Sequence, residues 1–147
     1  RFPRLVREIK CKRSPTKLIV KDDVTNLGYR ETIIHEYRVE EYSDTETLES
    51  QVIYPGRQKL EYQKRITREH KFPKDGELQG GFHKLKIAAI AATQELRETV
   101  WLWVSNDKKT IRWCSKKGPL EKCIAEDLKK GIQNSSMTYE QKGKLNV

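Results

Sequence analysis

The chain has 147 residues, with 30 Lys and Arg against 21 Asp and Glu, a formal net charge of +9 and a mean hydropathy of −0.84. That length suits a single domain able to bury a core, and six Tyr, three Trp and three Phe argue against disorder. The basic excess favours anionic partners, nucleic acid first and then acidic protein surfaces or lipid headgroups. No run approaches the roughly 18 apolar residues of a membrane span, so no membrane role is expected.

Residues 5–12 and 17–21 read as short strands, separated at Ser14 and Pro15, where proline lacks a donor and presets its φ. Asn26-Leu-Gly28 is the next turn. It leads into the segment Arg30–Tyr42, whose alternation puts Ile33, His35, Tyr37, Val39 and Glu41 on one face of a strand. A polar, acidic loop is expected over Ser43–Ser50, then an extended Gln51–Tyr54 and a turn at Pro55 and Gly56. Lys59–Arg68 alternates again, with Leu60, Tyr62 and Ile66 on one side.

Lys74-Asp-Gly76 and Gly80-Gly81 then punctuate a change of period. Phe82, Leu85, Ala89, Ala92 and Leu96 fall at helical spacing, and Ile87, Ala88, Ile90 and Ala91 widen the stripe, which predicts a buried central helix. A hairpin follows, Val100–Val104 and Thr110–Trp113, joined by Ser105–Lys109. Pro119 suits the first turn of a second helix lined by Leu120, Cys123, Ile124, Leu128 and Ile132, and residues 135–147 read as a frayed polar tail. The expected architecture is α+β: a mixed or antiparallel sheet, a buried central helix, a hairpin and a second helix.

Catalytic chemistry has little support. His35, His70 and His83 sit in no nucleophile motif, and the sequence carries no zinc-protease, phosphate-loop or dinucleotide fingerprint. Cys11, Cys114 and Cys123 form neither a CxxC pair nor a metal cluster, so free thiols in a reducing, intracellular compartment are expected. No cofactor is implied. The chain opens at Arg1 without an initiator Met, which reads as a piece of a larger polypeptide.

Recognition by flat rings is the better-supported reading. His35, Tyr37 and Glu41 on one strand face would offer two rings and a carboxylate to a planar, cationic or hydrogen-bonding heterocycle. Trp101 and Trp103 share a face of their strand and read either as core or as stacking rings. Basic clusters recur, several in or beside turns, at Lys10–Arg13, Arg57–Lys59, Lys64-Arg65 with Arg68, Lys71 and Lys74, Lys108-Lys109 and Lys116-Lys117, and would attract phosphates without reading sequence.

Cys11-Lys-Arg13, Val20-Lys-Asp-Asp23 and Thr32–Tyr42, with the Ala-rich Ile87–Ala92 and Gly118-Pro-Leu120, follow an order similar to one known family. Over about residues 8–133 the chain resembles the cap-binding domain of orthomyxovirus polymerase basic protein 2, as a divergent, thogotovirus-like member. The resemblance implies a non-catalytic module of a viral RNA polymerase, working in the host nucleus beside other polymerase subunits and holding capped or single-stranded RNA. In that family a positively charged methylated guanine lies between two rings while a carboxylate reads its edge. Carried over, the resemblance makes His35 the first ring, Glu40 or Glu41 the carboxylate, with strand parity favouring Glu41, and Arg57 or Lys59 the phosphate ligand. The second ring falls near Gln94, which is not aromatic, so the resemblance implies cap binding that is weak or lost. A structural or protein-interaction domain, and a basic RNA-binding module without cap preference, are the alternatives.

Overall fold

The computed structural model describes residues 3–130 and 142–146. Over these the chain folds as two facing, mainly antiparallel sheets. The strands are β1 (Leu5–Arg13), β2 (Leu18–Asn26), β3 (Thr32–Tyr42), β4 (Leu48–Tyr54), β5 (Gln58–Leu60), β6 (Arg65–Phe72), β7 (Gly81–Ala91), β8 (Glu95–Val104) and β9 (Ile111–Cys114); the helix α1 (Lys117–Lys129) and the strand β10 (Lys142–Asn146) follow. The smaller sheet runs β10-β1-β2-β6. The larger runs β4-β3-β7-β8-β9, with β5 also paired to β3.

Period-2 alternation explains how the layers meet. Leu5, Ile9 and Cys11 of β1 and Leu18, Val20 and Val24 of β2 face Ile34, Tyr37 and Val39 of β3, Leu85, Ile87 and Ala89 of β7, and Val100 and Leu102 of β8 in one continuous core. Each such aliphatic side chain, fully buried, contributes on the order of 1.5–3 kcal/mol. Polar links also cross between the layers. The Tyr37 hydroxyl donates to the Asp22 carboxylate, His70 Nε2 lies 2.7 Å from Glu41 Oε2, and the Arg13 guanidinium donates to the carbonyls of Lys108 and Lys109 at 2.7 and 2.6 Å.

The expected α+β architecture is corrected here: the segment from Phe82 to Leu96 is no helix but β7, a short turn and the start of β8. β7 lies in the middle of its sheet, paired over its length with β3 and β8. Ile87 and Ala89 point into the core, and Ala88 on the outer face is buried between its register neighbours Arg38 and Arg97, so three residues in succession are buried. An apolar run without alternation hides the strand period, and alanine's helix propensity completes the disguise.

Lys59–Arg68, expected to alternate without a break, is β5, a turn and β6, with Gln63 at φ 63° in the turn. The late helix forms as α1, packed on β8 and β9. It buries Leu120, Ile124 and Asp127, and an Asp127–Arg112 ion pair of 2.6 Å ties it to β9, whereas Leu128 faces solvent. Ile132 lies outside the described residues, as do residues 135–141 of the expected tail, while Lys142–Asn146 pairs with β1 as β10.

Candidate nucleic-acid interface

A β-bulge governs the fate of the residues singled out in β3. Pairing with β7 passes from Ile34 opposite Ala91 to Glu36 opposite Ile90, so His35 is an extra residue. The bulge reverses the parity of everything after it. Thr32 and Ile34 point inward before it and Tyr37, Val39 and Glu41 after it, while His35 is exposed. His35 and Glu41 therefore do not share a face, which corrects the expected grouping.

Tyr37 is a core ring, 5% exposed, edge-on to Tyr54 at 5.2 Å. Burial raises its phenol pKa, and the neighbouring Asp22 carboxylate pushes the same way. Asp22 also accepts from Arg7 Nε at 3.0 Å; burial raises its pKa despite the Arg7 charge, which opposes the shift. Glu41, 3% exposed, has its carboxylate committed to His70 and to the Lys74 amide, which donates at 2.7 Å. Glu40 points to the other side of the sheet and accepts from Gln51 Nε2 at 3.1 Å.

Arg57 lies exposed in the β4–β5 turn, and Lys59 pairs with Glu31 at 3.3 Å at the surface. Gln94 sits in the β7–β8 turn, where its amide accepts from the Leu5 N–H and donates to the Leu5 carbonyl, joining the two sheets. The six residues expected to form one site thus fall in three places. His35, Arg57 and Lys59 are exposed, Glu40 lies on the outer face of the large sheet, and Tyr37 and Glu41 lie in the interior. Among the described residues the ring pairs are Tyr29–Tyr62, Tyr37–Tyr54 and Phe72–His83, and His35 is in none of them.

The outer face of the large sheet assembles a different set. Cross-strand register places Tyr42 of β3, Lys84 of β7 and Trp101 of β8 in one row, with Glu40, Lys86 and Thr99 in the next. Lys84 Nζ stands 5.0 Å from the Tyr42 ring centroid and 5.1 Å from that of Trp101. Lys86 Nζ is 5.2 Å from Tyr42, and Lys117 Nζ, from the start of α1, is 5.5 Å from Trp101. These are cation–π distances. Of this group the sequence offered Trp101 and Lys117; Lys84 and Lys86 were hidden by the helix reading, although their spacing of two is a strand signal.

Two grooves meet at Trp101 and Lys117. One, of about 540 Å³, runs between Glu40, Lys86, Arg97 and Lys116; the other, of about 370 Å³, continues past Lys84 to His83 and Asp44. His83 and Asp44 also border a pocket of about 470 Å³ at the rim of the two sheets. Tyr42, Phe72 and His83 supply its rings, and Glu41, Asp44, Glu49, Asp75 and Glu77 its carboxylates. Among the described residues no group of three or more His, Cys, Asp or Glu side chains is placed to hold a metal ion, and no helix is long and apolar enough to cross a membrane. No protein-family model matches the chain, and no curated protein matches it.

Proposed function

We propose that the chain is a non-catalytic binding module that takes single-stranded RNA across the outer face of its large sheet. The observation that carries this reading is the row Tyr42–Lys84–Trp101, with Lys86 and Lys117 over the same rings. Bases stack on aromatic faces without regard to sequence; Lys84 is held by Glu46 at 3.2 Å, and Lys86 and Lys117 are the ammonium groups placed to turn to the phosphates. Each stack is worth about 1–3 kcal/mol, so Trp101→Ala should weaken RNA binding by roughly 5- to 150-fold.

The capped form of the same reading draws on the rim pocket, where rings and carboxylates stand together at the end of the groove. A methylated guanine carries positive charge, and such a pocket complements it. Anisotropy titrations with capped and uncapped oligonucleotides of one sequence separate the two forms. Binding that falls steeply with salt, collapses in Trp101→Ala and Tyr42→Ala, and ignores the cap supports the sequence-blind form. Preference for the cap that is lost in Glu77→Gln or His83→Ala supports the capped form. RNA binding unchanged in both ring variants would overturn the proposal.

A further inference from the structure

Six large apolar side chains are exposed among the described residues, and three of them, Leu27 at 43%, Tyr29 at 69% and Tyr62 at 39%, share one end of the fold. Leu27 and Tyr29 belong to the loop after β2, and Tyr62 to the turn before β6. The two tyrosine rings pack on each other at 4.9 Å with a 42° tilt. Large apolar groups gathered on a projecting tip mark an interaction surface, whereas scattered ones do not.

The tip is built to hold its shape. Asn26 beneath it is fully buried. Its amide donates to the carbonyls of Arg30 and Leu60, at 2.8 and 3.0 Å, and accepts from the N–H groups of Arg4 and Gly28, at 3.2 and 2.9 Å. Main-chain bonds from Leu27 to Arg4, Asn26 to Lys64 and Gln63 to Asn26 tie the loop, the turn and the start of the chain together. Exposed cations lie on the segments that the main-chain bonds bring together there: Arg4, Arg30, Lys64 and Arg65, whose Nε donates to Thr25 Oγ1 at 3.2 Å. The acid Glu31 is neutralised by Lys59, which leaves Glu61 as the opposing charge.

We infer that this tip docks on an anionic lipid surface, with Leu27, Tyr29 and Tyr62 at headgroup depth and the four cations over the lipid phosphates. Tyrosine suits that depth because one end of its ring is apolar and the other is wet. Basic side chains at the same level are drawn to an anionic leaflet. RNA fits the tip less well, since Leu27 is aliphatic and gives a base no ring face to stack on, whereas it suits the acyl boundary of a leaflet. The surface is separate from the Tyr42–Trp101 face, so neither proposal depends on the other.

Co-sedimentation of the full chain with phosphatidylcholine vesicles, with and without phosphatidylserine, tests the inference. The expected result is salt-sensitive binding to the phosphatidylserine vesicles alone. Tyr29→Ser with Tyr62→Ser, and separately Lys64→Glu with Arg65→Glu, should each weaken it at least about fivefold at an unchanged urea midpoint. Lys84→Ala with Lys117→Ala should leave it intact. Equal binding to both vesicles, indifference to the tyrosine pair, or loss through the Lys84 and Lys117 variant would each overturn the docking site. A tyrosine variant that loses RNA but keeps vesicles would assign the tip to nucleic acid instead.

Discussion

Asn26→Ala isolates the chemistry that shapes the tip. The substitution removes an amide with four partners and leaves two backbone N–H groups and two carbonyls without it. The Arg4 N–H and the Arg30 carbonyl are part-buried, so water can replace the lost side chain at modest cost. The Gly28 N–H and the Leu60 carbonyl are buried and have no such recourse. At about 1–3 kcal/mol for each stranded buried group, the variant should lose about 2–6 kcal/mol. That is a large share of the 5–15 kcal/mol that typically holds a domain folded. Urea unfolding followed by tryptophan fluorescence reads the loss as a shift in midpoint at constant slope. A loss below about 1 kcal/mol would show that these backbone groups find partners without Asn26, and the argument for a preformed tip would fail.

Two further outcomes test the interior. Asp22→Ala strands the buried Arg7 guanidinium and should cost about 3–5 kcal/mol, whereas Arg7→Met with Asp22→Leu should cost clearly less than the two single changes added together; strictly additive urea midpoints would contradict that coupling. Burial pushes the Cys11 thiol up to about 12, while Cys114 and Cys123 are partly exposed, so iodoacetamide at mildly alkaline pH should label Cys114 and Cys123 in the native protein and all three thiols in urea. Native labelling of Cys11 at the rate of the other two would show that β1 is not packed as described.

Much of the strand order was legible because most strands have one buried face. Leu5–Arg13, Thr32–Tyr42 and the β8–β9 hairpin alternate clearly, and Ser14-Pro15 marks its turn. β7 was not legible, because a central strand loses the polar half of its alternation just where burial is greatest. The candidate site failed for a smaller reason. A single extra residue at His35 inverts which side chains of β3 face inward, and no local pattern in Arg30–Tyr42 announces the bulge. Period-2 counting therefore grouped His35 with Tyr37 and Glu41, which the fold separates. The Tyr42–Lys84–Trp101 row joins three strands distant in sequence, and only register brings it together.

The apolar run in the middle of β7 also bears on the life of the chain before it folds. Ile87–Ala91 is a window without charge or proline, of the kind that stacks into cross-β aggregates when it is exposed. In the folded protein β3 and β8 occupy both of its edges; in a nascent or unfolded chain nothing does. Lys84 and Lys86 on one flank and Glu95 and Arg97 on the other then act as gatekeepers, opposing self-association by repulsion. The two lysines proposed to meet RNA on the finished sheet would thus serve earlier as guards of its most aggregation-prone strand, and neutralising both should lower the yield of refolding before any RNA is added.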